Sequence, residues 1–138
     1  MGSNEVILLD THVLIWTTED DRKIGARSKA MIADALANSQ VAISAFTFWE
    51  IALLAARRRV RAIDSPEDLR NQFLSSGGIE LPVTGKIGIL SVALENLHGD
   101  PADRLIVATA LSHEATLLTA DSRLLSWGGQ LRRHDATT

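Results

Sequence analysis

The stretch DPADRLIVATALSHEATLLTAD, residues 100 to 121, decides the fold. Asp100 followed by Pro101 reads as a helix cap with proline at the first helical position, and the acid at 103 suits the first turn. The helix so begun runs to about Glu114, and the apolar run Thr116–Thr119 then reads as a buried strand. So short a link obliges the helix to end at the strand's amino edge and therefore to begin at its carboxyl edge. Asp103 is thereby placed on the same rim as Asp121, which comes two residues after the strand.

The same alternation continues outward. Val6–Leu9, Val41–Ile43 and Ile79–Val83 are further short apolar runs with strand character. Between them lie helical stretches at Ser28–Ala37 and Thr47–Arg59, one opened by Ser65-Pro66-Glu67-Asp68, and one capped by Thr84 and running to about Leu97. Leu131–Arg133, after the turn residues Gly128 and Gly129, adds a weak fifth strand. Strands alternating with helices imply an α/β domain with a largely parallel sheet of four to five strands.

With 138 residues the chain fits one domain, read here as residues 1–138, in which residues 1–4 could be a cloning remnant. There is no cysteine, which removes thiol catalysis and disulfides and suits a cytoplasmic protein. The longest apolar stretch, Ile51–Ala56, is far short of the roughly 20 residues of a membrane span, so no membrane partner is expected. Asp10 ends the first apolar run after four residues, so no signal peptide is expected either. A net charge of −3 lowers the expectation of tight nucleic-acid binding through charge alone. It does not exclude a nucleic-acid enzyme, since a carboxylate metal site itself depresses the total.

In a parallel α/β sheet, sites form beyond the carboxyl ends of the strands. Asp10 follows the first strand, Glu50 lies in the first turn of the helix after the second, and Asp103 and Asp121 share that rim, with Asp100 close by. Each also has a reading without chemistry. Asp10, Asp100 and Asp121 can cap helices, and Asp103 can favour a helix dipole. Glu50, flanked by Phe46, Phe48, Trp49, Ile51 and Leu53, needs a partner. Taken together, carboxylates so crowded raise one another's pKa unless a cation compensates them, and all-oxygen ligand sets suit Mg²⁺ and Mn²⁺.

The segments Leu8-Leu9-Asp10-Thr11-His12, Trp49-Glu50-Ile51, His98-Gly99-Asp100-Pro101-Ala102-Asp103-Arg104-Leu105-Ile106 and Leu118-Thr119-Ala120-Asp121 resemble, in order and spacing, the PIN-domain nucleases. Within these, the resemblance is to the VapC-type toxins of bacterial toxin–antitoxin pairs, and it covers about Val6 to Leu131. It implies a three-layer α/β/α fold and an acidic quartet, Asp10, Glu50, Asp103 and Asp121, that binds Mg²⁺ or Mn²⁺, with Asp100 a fifth position better read as a cap. Thr11 and Thr119 correspond to polar neighbours that orient a carboxylate or contact substrate. The chain departs from many relatives after Glu50's helix, where Arg57-Arg58-Arg59-Val60-Arg61 stands in place of a glycine stop and a lysine.

The function so implied is a metal-dependent endoribonuclease yielding 5′-phosphate and 3′-hydroxyl ends, a homodimer held in check by a cognate antitoxin. Arg57, Arg58, Arg59, Arg61 and Arg104 are candidate RNA contacts, and the cluster at 57–61 reads equally as a solvated helix end. His12 and His98 lie beside the motifs and could touch phosphate or metal, while His113 and His134 read as surface residues. Trp16, Trp49 and Trp127 read as core or interface rather than base-stacking residues. Two other readings stay open. One is a binding module whose acidic pocket receives a partner's arginine. The other, a strand-end aspartate phosphatase, is weakened because His12 stands where the second aspartate belongs.

Overall fold

The computed structural model describes residues 5–19, 22–57 and 65–138. In chain order the elements are β1 (Ile7–Leu9), α1 (Thr11–Thr18), α2 (Ala26–Ala37), β2 (Val41–Ser44), α3 (Ala45–Ala56), α4 (Pro66–Ser75), β3 (Ile79–Leu81), α5 (Gly85–Ala93), α6 (Pro101–Ser112), β4 (Thr116–Thr119), α7 (Ser122–Leu125) and β5 (Arg133–Asp135). The five strands form one sheet in the order β3-β2-β1-β4-β5, and every pairing is parallel.

Alternation along the strands builds two cores from one sheet. Ile7 and Leu9 of β1, Val41 and Ile43 of β2 and Leu118 of β4 point to one face, where α1 to α4 cover them with Val13, Leu14, Ala35, Ile51, Leu69 and Phe73. Leu8, Ala42 and Leu117 point to the other, against Ile106, Val107 and Ala110 of α6 and Leu124 of α7. The three inner strands β1, β2 and β4 are buried on both faces, and so read as short, largely apolar runs rather than alternating ones.

Several boundaries differ from the sequence expectation for local reasons. Strand β3 stops at Leu81 because Pro82 has no N–H to give a ladder. Helix α3 starts at Ala45, since the Ser44 hydroxyl accepts the Phe46 N–H at 3.2 Å, and Glu50 therefore lies in the second turn. Helix α5 ends at Ala93 instead of about Leu97, where Leu94 turns to an extended backbone (ψ 124°). The fifth strand is Arg133–Asp135, two residues later than Leu131–Arg133: its register with β4 begins at Arg133 opposite Leu117, while the Leu131 N–H turns back to the Gly129 carbonyl at 3.0 Å.

From the central β1 the chain passes outward to β2 and β3, then returns to lay β4 on the other side of β1. The reversal opens a crevice at the carboxyl ends of β1 and β4, the usual ligand position in sheets of this kind. Here the Asp10 N–H donates to the Leu118 carbonyl at 3.0 Å.

Candidate active site

Asp10 leaves β1 and caps α1, only 7 % exposed. Its Oδ1 accepts the Thr11 N–H at 2.7 Å and its Oδ2 the Thr119 hydroxyl at 2.6 Å. Burial holds its carboxyl above the usual range, with the Thr119 bond pulling it back and the charge of Asp103 pushing it further up. Thr119 also accepts the Asp121 N–H at 3.1 Å, so one hydroxyl couples the ends of β1 and β4.

Glu50 projects from α3 to the same rim, where its Oε1 accepts the Thr11 hydroxyl at 2.6 Å. That hydroxyl has one proton, so the contact at 3.0 Å between Thr11 and Thr47 is a bond donated by Thr47. The partner that Glu50 requires is thus a chain of two threonines. Burial again raises this carboxyl, and the charges of Asp10, Asp103 and Asp100 add to the shift.

Asp103, in the first turn of α6, has its Oδ2 2.7 Å from His98 Nε2 and 3.5 Å from Arg123 Nη2. Its carboxyl is raised by burial, with His98 opposing and Asp100 and Asp121 reinforcing. Asp121 caps α7 and is the exception: Arg123 donates its backbone N–H at 2.8 Å and its side chain at 2.9 and 3.2 Å, and holds this carboxyl below the ordinary value. Asp100 is exposed and caps α6, accepting the N–H groups of Ala102 and Asp103 at 2.9 and 3.3 Å.

The helix-cap and active-rim readings therefore coexist in the same side chains. Asp10 and Asp121 cap helices with one oxygen each while sharing a rim with Glu50 and Asp103. Three of these four carboxyls hold their protons more tightly than normal because each lies partly out of water beside other acids. A hard divalent cation fits such a donor set, since it replaces the missing solvation and cancels the crowding. Among the described residues, ligand atoms of His98, Asp103 and Asp121 lie within 4.8 Å of one another. Asp10 and Glu50 stand beside this trio and couple to Asp103 through their charges.

The candidate basic residues divide. Arg57 is exposed at the end of α3, and Arg58, Arg59 and Arg61 lie outside the described residues. Arg104 faces the protein. Its Nε donates to the Ser91 carbonyl, its Nη1 to those of Leu97 and His98, and its Nη2 to those of Val92 and Leu94, at 2.6 to 3.2 Å. All five N–H groups of the guanidinium are engaged in this way, which leaves no donor for RNA. Sequence reasoning missed Arg123, which stands over Asp121 and Asp103. It also left His98 without a role. The available signals were Arg123's place two residues after a capping aspartate and His98's place five before Asp103.

A family model described as "PIN domain" matches residues 7–128. The chain belongs to the PIN-domain family. This PIN domain is 33% identical over 121 residues to Ribonuclease VapC22 of Mycobacterium tuberculosis, an alignment covering 87% of the chain and 90% of that relative. Among solved structures it is similar to the DNA-bound VapBC of Salmonella typhimurium (TM-score 0.70, 19% identity, 95% of this chain and 98% of that one). It is also similar to VapBC2 of Rickettsia felis bound to a promoter fragment (TM-score 0.68, 18% identity, 94% and 97%). At those identities the structures speak for the fold.

Proposed function

We propose that this PIN domain is a divalent-metal-dependent endoribonuclease of VapC type, the toxin of a toxin–antitoxin pair. The observation that carries the reading is that Asp103 couples by charge to Asp10, Glu50 and Asp121, each from a different segment, and that burial raises three of these four carboxyls. Likeness to a curated ribonuclease over most of the chain supports RNA as the substrate. The acidic quartet would hold Mg²⁺ or Mn²⁺, which when bound supplies a Lewis acid for a phosphate oxygen and an acidified water.

The chain's own residues do the rest. Thr119 and the Thr11 amide fix both oxygens of Asp10, so its ligating geometry is set before any cation arrives. Thr11, relayed from Thr47, leaves Glu50 one committed oxygen and one able to orient the attacking water. The fragments would carry 5′-phosphate and 3′-hydroxyl ends. We read the chain as a single cytoplasmic domain, since both cores share one sheet and no described helix is long and apolar enough to cross a membrane.

Toxin–antitoxin complexes among the similar structures support an antitoxin partner. The site suggests how one would engage it, because Asp103 and Asp121 already receive a guanidinium in cis from Arg123. A homodimer is supported by Ile89 and Val92, one turn apart on α5 and 76 % and 81 % exposed. Cleavage of a mixed RNA pool with Mg²⁺ or Mn²⁺ tests the reading. Discrete fragments are expected, lost with EDTA and in Asp10→Asn. A folded Asp10→Asn protein that cleaves as fast as wild type would sink the site assignment.

A further inference from the structure

His98 is placed with unusual firmness for a residue in an irregular segment. Arg104, next in sequence to Asp103, gathers five carbonyls between residues 91 and 98, that of His98 among them at 3.2 Å. The segment that brings His98 to Asp103 is therefore fastened to Asp103's own neighbour. The imidazole side chain is 19 % exposed, with Nε2 at 2.7 Å from Asp103 Oδ2. Its Nδ1 is buried and has no hydrogen-bond partner among the described residues.

This asymmetry fixes where the proton sits. A neutral ring protonated on Nδ1 would bury an unpaired N–H and set two lone pairs face to face across 2.7 Å. Protonation on Nε2 satisfies Asp103 and leaves only a lone pair on Nδ1. Nε2 is thus a donor to Asp103, and with its proton in place it has no lone pair for a cation, although His98 sits within reach of two carboxylates.

We propose that His98 is a positioning residue for the acidic site: Arg104 fixes the path of the 94–98 segment, and the Nε2–H so placed holds Asp103 Oδ2 so that Oδ1 faces a divalent cation, without His98 becoming a ligand. The inference rests on the metal-site reading above. Partners of this kind, one step removed from the ion, typically change metal affinity 10- to 100-fold when removed.

Two measurements on the full chain test it. A long-range ¹H–¹⁵N spectrum of the wild type should show a protonated Nε2, and the same after Mg²⁺ is added. Mn²⁺ titration of folded wild type, His98→Ala and His98→Gln should give about tenfold weaker binding for the alanine variant, with glutamine, whose amide N–H reaches to about the position of Nε2, restoring most of it. An Nε2 without a proton, loss of the Nε2 proton on Mg²⁺ binding, wild-type affinity in His98→Ala, or glutamine as weak as alanine would each overturn the assignment. The spectrum needs no variant, so it decides even if His98→Ala fails to fold. A wild type that binds no Mn²⁺ would instead bring down the metal-site reading itself, and this inference with it.

Discussion

At the scale of single residues, the acidic rim ties stability to pH in two opposing senses. The buried Asp10, with Glu50 and Asp103, takes up a proton more readily in the folded chain than in the unfolded one. Each therefore lowers stability as pH rises from its ordinary value, 3.8 for the aspartates and 4.5 for the glutamate, through its raised folded value, and the penalty is complete above that. Asp121, held down by Arg123, contributes stability above its ordinary value that is lost as pH falls through its lowered folded value. Asp10→Asn should accordingly raise the melting temperature of EDTA-treated protein at neutral pH, and the gain should vanish at acid pH below the ordinary carboxylate values, where Asp10 is protonated in both states. Thermal scans at the two pH values check this, and an equal loss at both would contradict it. That Asp10, Glu50, Asp103 and Asp121 lie toward one sheet edge was legible from sequence, because topology restricts which side chains can reach it. Arg123 and His98 were not, because their roles depend on side-chain reach and loop path, which no periodicity encodes.

Among the elements, the sequence signals that survived were those with a local cause. Proline after a capping residue located the starts of α4 and α6 to the residue. The end of α5 and the bounds of β5 were misjudged because tertiary contacts set them: the Arg104 guanidinium collects carbonyls at and beyond the end of the helix, and β5 begins only where Arg133 meets Leu117 of β4. A helix terminus normally leaves its last carbonyls to water or to a cap. Arg104→Met should thus leave several partly buried carbonyls unpaired and destabilise the fold by at least about 2 kcal/mol, read as a lower urea midpoint. A midpoint unchanged from wild type would mean that water replaces the guanidinium at no cost.

Over the whole molecule, two cores share one sheet, yet α5 leaves Ile89 and Val92 largely in water. Introducing charge there, as Ile89→Glu with Val92→Glu, should convert the proposed dimer to monomer in sedimentation velocity without lowering the melting temperature of the subunit. A wild type already monomeric at high concentration would remove that face from consideration. Parallel pairing at the sheet's centre has a further consequence for when activity can begin. The hydroxyl that secures Asp10 belongs to Thr119, made 109 residues later. Loop closure over that distance is slow, and nothing local can stand in for it. If the chain is the ribonuclease proposed above, a nascent chain that has not reached β4 has one side of the site and not the other, and cannot cut the RNA it is being read from. The site is complete only once β4 has paired with β1.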